Sequence, residues 1–174
     1  DLEEVRLLAA DDLLQRLVAS GTLSHLTRGL YAVCSLRASH PEAAHLQFRQ
    51  GALLLYPDGV LSGVSAVLAH GLPVWDTRLS RPVVRRDAKK GVGAVGIRIR
   101  RAATASVETD TGPAVPVARA LVEHAMDNGT VQGVVSADAA LRRDLLTPEA
   151  LAEEDAVVAQ WPRSHRARAM LDLV

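Results

Sequence analysis

The sequence predicts an α+β protein in which an N-terminal winged helix-turn-helix precedes a helix-rich α/β domain with a small β-sheet. Three features lead there. A helical apolar period at the start of the chain runs into a hairpin pattern, two short middle segments alternate as strands do, and the C-terminal part reads as successive helices.

Val5, Leu8, Leu14, Leu17 and Val18 recur with helical spacing until Ser20-Gly21 interrupts the run. Leu14, Leu17 and Val18 are expected on the inner face, with Gln15, Arg16 and Ala19 outside. Thr22 to Val33 flanks the turn signal Arg28-Gly29 with strand-forming residues and predicts a two-stranded hairpin. Helix, second helix and then a two-stranded hairpin are the order expected of the second half of a winged helix, so residues 1–35 form one expected module and residues 36–174 the α/β domain. Ser39-His40-Pro41-Glu42 has the form of a capping box and predicts a helix to about Tyr56, ended by Pro57-Asp58-Gly59. Ser62 caps a helix expected from Gly63 to His70, which Gly71-Leu72-Pro73 stops. Strands are expected over Arg81–Arg86 and Val95–Arg101. The second alternates Val95, Ile97 and Ile99 against Gly96, Arg98 and Arg100, giving one apolar and one arginine-rich face. Helices over Val117–Met126, Val134–Arg143, Pro148–Gln160 and Ser164–Val174 complete the chain, Thr147-Pro148-Glu149 being a strong start signal.

Composition narrows the function classes. The chain has 174 residues, 48% of them hydrophobic, but only five aromatics (Trp 2, Tyr 2, Phe 1), so its core is built from Leu, Val and Ala and disorder is disfavoured. Cys34 is the single cysteine and cannot form an internal disulfide, which points to a reducing cytoplasm. No apolar run approaches the roughly 20 residues that span a bilayer. Formal net charge is zero, but Arg78, Arg81, Arg85, Arg86, Lys89, Lys90, Arg98, Arg100 and Arg101 face only Asp87 within their segment, a local balance of +8. Such a block is either a polyanion-binding face or solvated surface balancing acidic helices.

Motifs for catalysis or cofactors are weak. Gly91-Val92-Gly93-Ala94-Val95-Gly96 spells a dinucleotide fingerprint, but that motif needs a strand before it and a helix within it, and here a strand follows. It reads as a basic hairpin loop. The six histidines have no paired spacing and no cysteine partners, so no metal and no cofactor are expected. Neither a nucleophile elbow nor a Cys/His signature is present, and no catalytic residue is assigned. Arginine forks match phosphate oxygens bidentately, so Arg85, Arg86, Lys89, Lys90, Arg98, Arg100 and Arg101 are the candidate contacts to double-stranded DNA, with Arg16 on the second helix and Arg28 at the wing tip. Residues 1–33 hold three basic and five acidic side chains, a poor charge for groove binding. Asp11 and Asp12 at the helix start fit a protein-contacting module as well as a DNA-reading one.

Leu14, Leu17, Val18, Gly21 and Leu23 with Arg28-Gly29-Leu30-Tyr31 resemble the helix and wing of AbiEi-type antitoxins of type IV toxin-antitoxin systems, especially their actinobacterial branch. Leu61-Ser62, Ser65-Ala66 and His70-Gly71-Leu72-Pro73, then Pro116 to Val122, Asp138 to Arg143 and Thr147-Pro148-Glu149, are similar to further family segments in the same order. The resemblance implies a DNA-binding regulator that represses its own operon and counteracts a nucleotidyltransferase-type toxin. Gly63 stands where the family often has a polar residue, the usual turn glycine is missing near Ala9-Ala10, and the recognition helix is acidic. Many relatives continue into a very-short-patch-repair-like endonuclease domain, which makes the DNA-recognition region of a longer nuclease the alternative. A protein-interaction module without DNA binding is the third reading.

Overall fold

The computed structural model describes residues 12–33, 40–87, 95–101 and 105–174, and within them the chain is a mixed α+β protein with seven helices and two small sheets. Residues 12–19 are helical (α1) and lead into an antiparallel pair, β1 (Leu23–Thr27) and β2 (Leu30–Val33). The expected hairpin is therefore present. Its turn falls on Arg28-Gly29 because Gly29 takes a φ of 78°, which a side chain disfavours. Leu14 and Leu17 are half-buried, but Val18 is 37% exposed, contrary to its expected inward position. A two-stranded hairpin is too narrow to cover all three, and Val18 instead lines a surface groove with Leu14, Ala19, His25 and Tyr31.

Helix α2 (Pro41–Leu55) begins as the proline predicts, with His40 in the cap position and no side-chain capping bond; the expected cap Ser39 lies outside the described residues. Short β3 (Val60–Leu61) leads directly into α3 (Gly63–Ala69). After an irregular segment come β4 (Val83–Arg86) and β5 (Arg98–Arg101), then the hairpin β6 (Val107–Thr109) and β7 (Gly112–Ala114). Helices α4 (Val117–Asn128), α5 (Thr130–Arg142), α6 (Pro148–Val157) and α7 (Ser164–Leu171) follow. Thr147 caps α6 as expected, its Oγ1 accepting the Ala150 amide at 3.2 Å.

The larger sheet has the order β5-β4-β3-β7-β6. Strand β3 runs antiparallel to β4 and parallel to β7, whereas β4 and β5 are parallel in the register Val83–Arg98 to Arg86–Arg101. Parallel pairing corrects the hairpin loop expected at Gly91–Gly96. A chain joining parallel neighbours must cross back to the strand start and cannot simply turn around. Residues 91–94 lie outside the described residues, and Val95-Gly96 is a turn, so β5 starts three residues later than expected. The β6–β7 hairpin and β3 carried no clear sequence signal. Helix α4 packs on α3, α5, α6 and α7, and its Ala120, Leu121, Val122, Ala125 and Met126 join Leu61, Val67, Val84 and Val115 in the core. Among the described residues, no helix is long and apolar enough to cross a membrane.

Candidate functional site

Parallel register puts Val83, Arg85, Arg98 and Arg100 on one face of the sheet, since alternate residues share a face. The arginine-rich face exists, but Arg85 and Arg100 turn toward the acidic side chains of α4, whereas the Arg98 side chain stays 47% exposed. Arg85 is 3% exposed and is ion-paired with the fully buried Glu123. Glu123 also accepts from Ser62 Oγ and, at 3.3 Å, from the Gly63 amide, while Arg100 Nε lies 3.7 Å away. Arg100 Nη2 and Arg98 Nη1 both reach Asp127 Oδ2, at 2.6 and 2.9 Å. Burying ionised groups is costly unless each finds opposite charge and hydrogen-bond partners; the cluster supplies the opposite charge, while Arg85 Nε and Arg100 Nε are buried without a hydrogen-bond partner among the described residues. Arg85 therefore cannot touch a phosphate, and Arg100, its side chain 14% exposed, is committed to the same internal network. Both are corrections to the sequence reading. Its cause is that neither strand reveals where the carboxylates of α4 will lie.

The cluster also explains Gly63. At a φ of 51° it permits the sharp passage from β3 into α3 that brings its amide and Ser62 Oγ to Glu123. Ser62 occupies the cap position but spends its hydroxyl on Glu123 rather than on the helix.

The other expected contacts are dispersed. Arg86 chelates Asp58 through Nε at 2.9 and 3.0 Å and lies over the Tyr56 ring at 4.6 Å. Its guanidinium holds the Asp58 carboxyl below its ordinary pKa. Arg101 is exposed at the end of β5, and Lys89 and Lys90 lie outside the described residues. Arg16 is exposed on α1 but ion-paired with Asp12 one turn away. Arg28 is exposed at the hairpin tip, with no ion-pair partner among the described residues.

A site the sequence did not single out forms where α3, α4, β4, β5 and the start of α7 meet. A cleft of about 510 Å³ is lined by Arg78, Arg81, Arg98 and Arg163 together with Ser80, Asp127 and Asn128. Arg78 and Arg81 come from the irregular segment before β4, Arg98 from β5, and Arg163 from the α6–α7 junction. An adjoining cleft of about 820 Å³ shares Arg78, Asp127 and Asn128 and is further lined by Asp76, Thr77 and Gln132. Two of the three non-glycine residues with positive φ among those described, Asp76 at 44° and Arg163 at 69°, line these clefts. The basic block from Arg78 onward hinted at Arg78 and Arg81. Nothing local to Arg163 could have placed it beside them.

Among the described residues, two histidines, His45 and His124, are buried. His45 Nδ1 lies 2.7 Å from the Leu79 carbonyl and so carries the proton, leaving Nε2 to accept from Ser65 Oγ at 2.9 Å. Ser65 in turn accepts the Val83 amide and is wholly buried, so the pair ties α2, α3 and β4 together without an opening to solvent. Burial lowers the His45 pKa, against the raising effect of the Leu79 carbonyl. Burial also lowers His124 to about 4, and its Nδ1 accepts from Asn128 Nδ2 at 2.9 Å. Among the described residues no group of three or more His, Cys, Asp or Glu is placed to hold a metal. No family model matches the chain, and no curated protein matches it.

Proposed function

We propose that the chain is a cytoplasmic DNA-binding regulator of the antitoxin type, in which α1 and the β1–β2 hairpin act as a winged helix on duplex DNA. The observation that carries this reading is the Arg28-Gly29 tip: a helix leads into an antiparallel hairpin whose turn presents a solvent-exposed guanidinium with no ion-pair partner among the described residues. A wing of this build reaches the phosphate backbone beside the groove that the preceding helix enters. The resemblance of the same residues to AbiEi-type antitoxins supports repression of the protein's own operon and opposition to a nucleotidyltransferase-type toxin. Charge sets the weight of each contact. Arg16 must leave Asp12 before it can reach a base, and Arg85 and Arg100 are spoken for by α4, so the wing carries the N-terminal backbone contact.

Titration of the 174-residue chain against the DNA upstream of its own gene and against a random duplex, at several salt concentrations, tests this. Arg28→Ala should weaken both by similar factors and lower the salt slope by about one unit, as loss of one phosphate contact does. Unchanged affinity and slope would show that the hairpin is not a wing. A protein-contacting role for this module is favoured by one observation, the groove of about 460 Å³ between α1 and the hairpin, where Val18 and Tyr31 are each 37% exposed.

A further inference from the structure

The cleft lined by Arg78, Arg81, Arg98 and Arg163 contains one carboxylate, Asp127, which leaves a formal balance of +3. That carboxylate is already shared by Arg98 and Arg100. Arg78, Arg81 and Arg163 have no ion-pair partner among the described residues, although they converge from two separate stretches of chain. Guanidinium groups gathered in a concavity repel one another and concentrate positive potential there, so the arrangement is most stable with an anion between them. Arg163 adds an independent sign. Its φ of 69° is unfavourable for a residue with a long side chain, and strain of this kind collects at ligand sites.

Shape selects the anion. We infer that this cleft binds a small nucleoside phosphate, held by its doubly charged terminal phosphate, at a site separate from any DNA contact of the hairpin. A duplex is a convex rod offering singly charged diesters, whereas a concave site of about 510 Å³ suits the doubly charged end of a small molecule. Guanidinium forks meet such an end bidentately. The adjoining cleft, lined by the carboxylates of Glu42, Asp76 and Asp127 together with Thr77, Asn128 and Gln132, would take only the uncharged remainder of the ligand, its carboxylates accepting from hydroxyl groups. Asn128 is held in place by His124.

Calorimetric titration of the whole chain at fixed ionic strength, with ATP, inorganic phosphate, sulfate and adenosine as separate probes, tests the inference. ATP should bind saturably, more tightly than phosphate or sulfate, and adenosine should not bind. Arg78→Ala with Arg81→Ala removes two exposed guanidiniums that have no ion-pair partner among the described residues and should weaken ATP by more than about tenfold, with the thermal midpoint without ligand unchanged. Arg28→Ala should leave ATP affinity untouched, which separates this site from the hairpin. Equal binding of ATP and sulfate, or ATP affinity unaffected by the double variant, would overturn the inference. So would a flat ATP titration accompanied by loss of duplex binding in the double variant, since the cleft would then serve the DNA backbone.

Discussion

Glu123 is the residue whose loss should cost the fold most. It is fully buried, pairs with the 3% exposed Arg85, and accepts from Ser62 Oγ and the Gly63 amide. Glu123→Ala strands a buried guanidinium, a change that typically costs about 3–5 kcal/mol, and leaves two buried donors without acceptors at roughly 1–3 kcal/mol each. These losses overlap, so about 5 kcal/mol is a reasonable total against the 5–15 kcal/mol that holds a typical protein folded. At roughly 2–4 °C per kcal/mol for a chain of this size, the thermal midpoint should fall by about 10–20 °C. Arg85→Met should cost less, because Glu123 retains Arg100 at 3.7 Å. Replacing both partners by apolar residues, Glu123→Leu with Arg85→Met, should recover much of the loss, since the buried charges then leave together. Urea and thermal unfolding followed by circular dichroism would measure all three. A midpoint for Glu123→Ala within about 3 °C of the parent protein, or a double variant no better than the worse single one, would refute the account of a mutually dependent ionic cluster.

Acid should destabilise the protein early. His124 has a folded pKa of about 4 against an ordinary 6.5, so it is neutral in the fold while the unfolded chain takes up a proton. That stabilisation is complete above about pH 6.5 and is lost as pH falls toward 4, by roughly 3 kcal/mol for a shift of this size. His45 is displaced the same way by burial and adds to the effect. Urea midpoints that stay level between about pH 7 and pH 5 would contradict this, and His124→Asn should flatten the profile if it folds. At the start of α6, Thr147→Ala removes the acceptor of the Ala150 amide and should cost about 1 kcal/mol, read as a lower urea midpoint with an unchanged slope. No change there would mean that water replaces the cap without loss.

The sequence by itself determined the local events: the turn at Arg28-Gly29, the helix starts at Pro41 and Thr147-Pro148, and the stop after His70. Each depends on the conformational preferences of a few adjacent residues, which act wherever the segment lies. The arginine-rich alternation of β5 was equally legible, but its direction was not. Only the tertiary structure decided that β4 and β5 run parallel, that two residues, Val60 and Leu61, form the central strand, and that Arg85 and Arg100 turn inward while Arg98 stays exposed. Pairing direction depends on which distant strands fill the sheet, and a two-residue strand has no period to read. The fate of each arginine was decided the same way. Arg85 is interior because Glu123, 38 residues further along, reaches it, whereas Arg78, Arg81 and Arg163 line an open cleft and have no ion-pair partner among the described residues. A charge is read from the sequence, but its partner is a matter of distance in space, and electrostatic energy follows distance and burial rather than chain order.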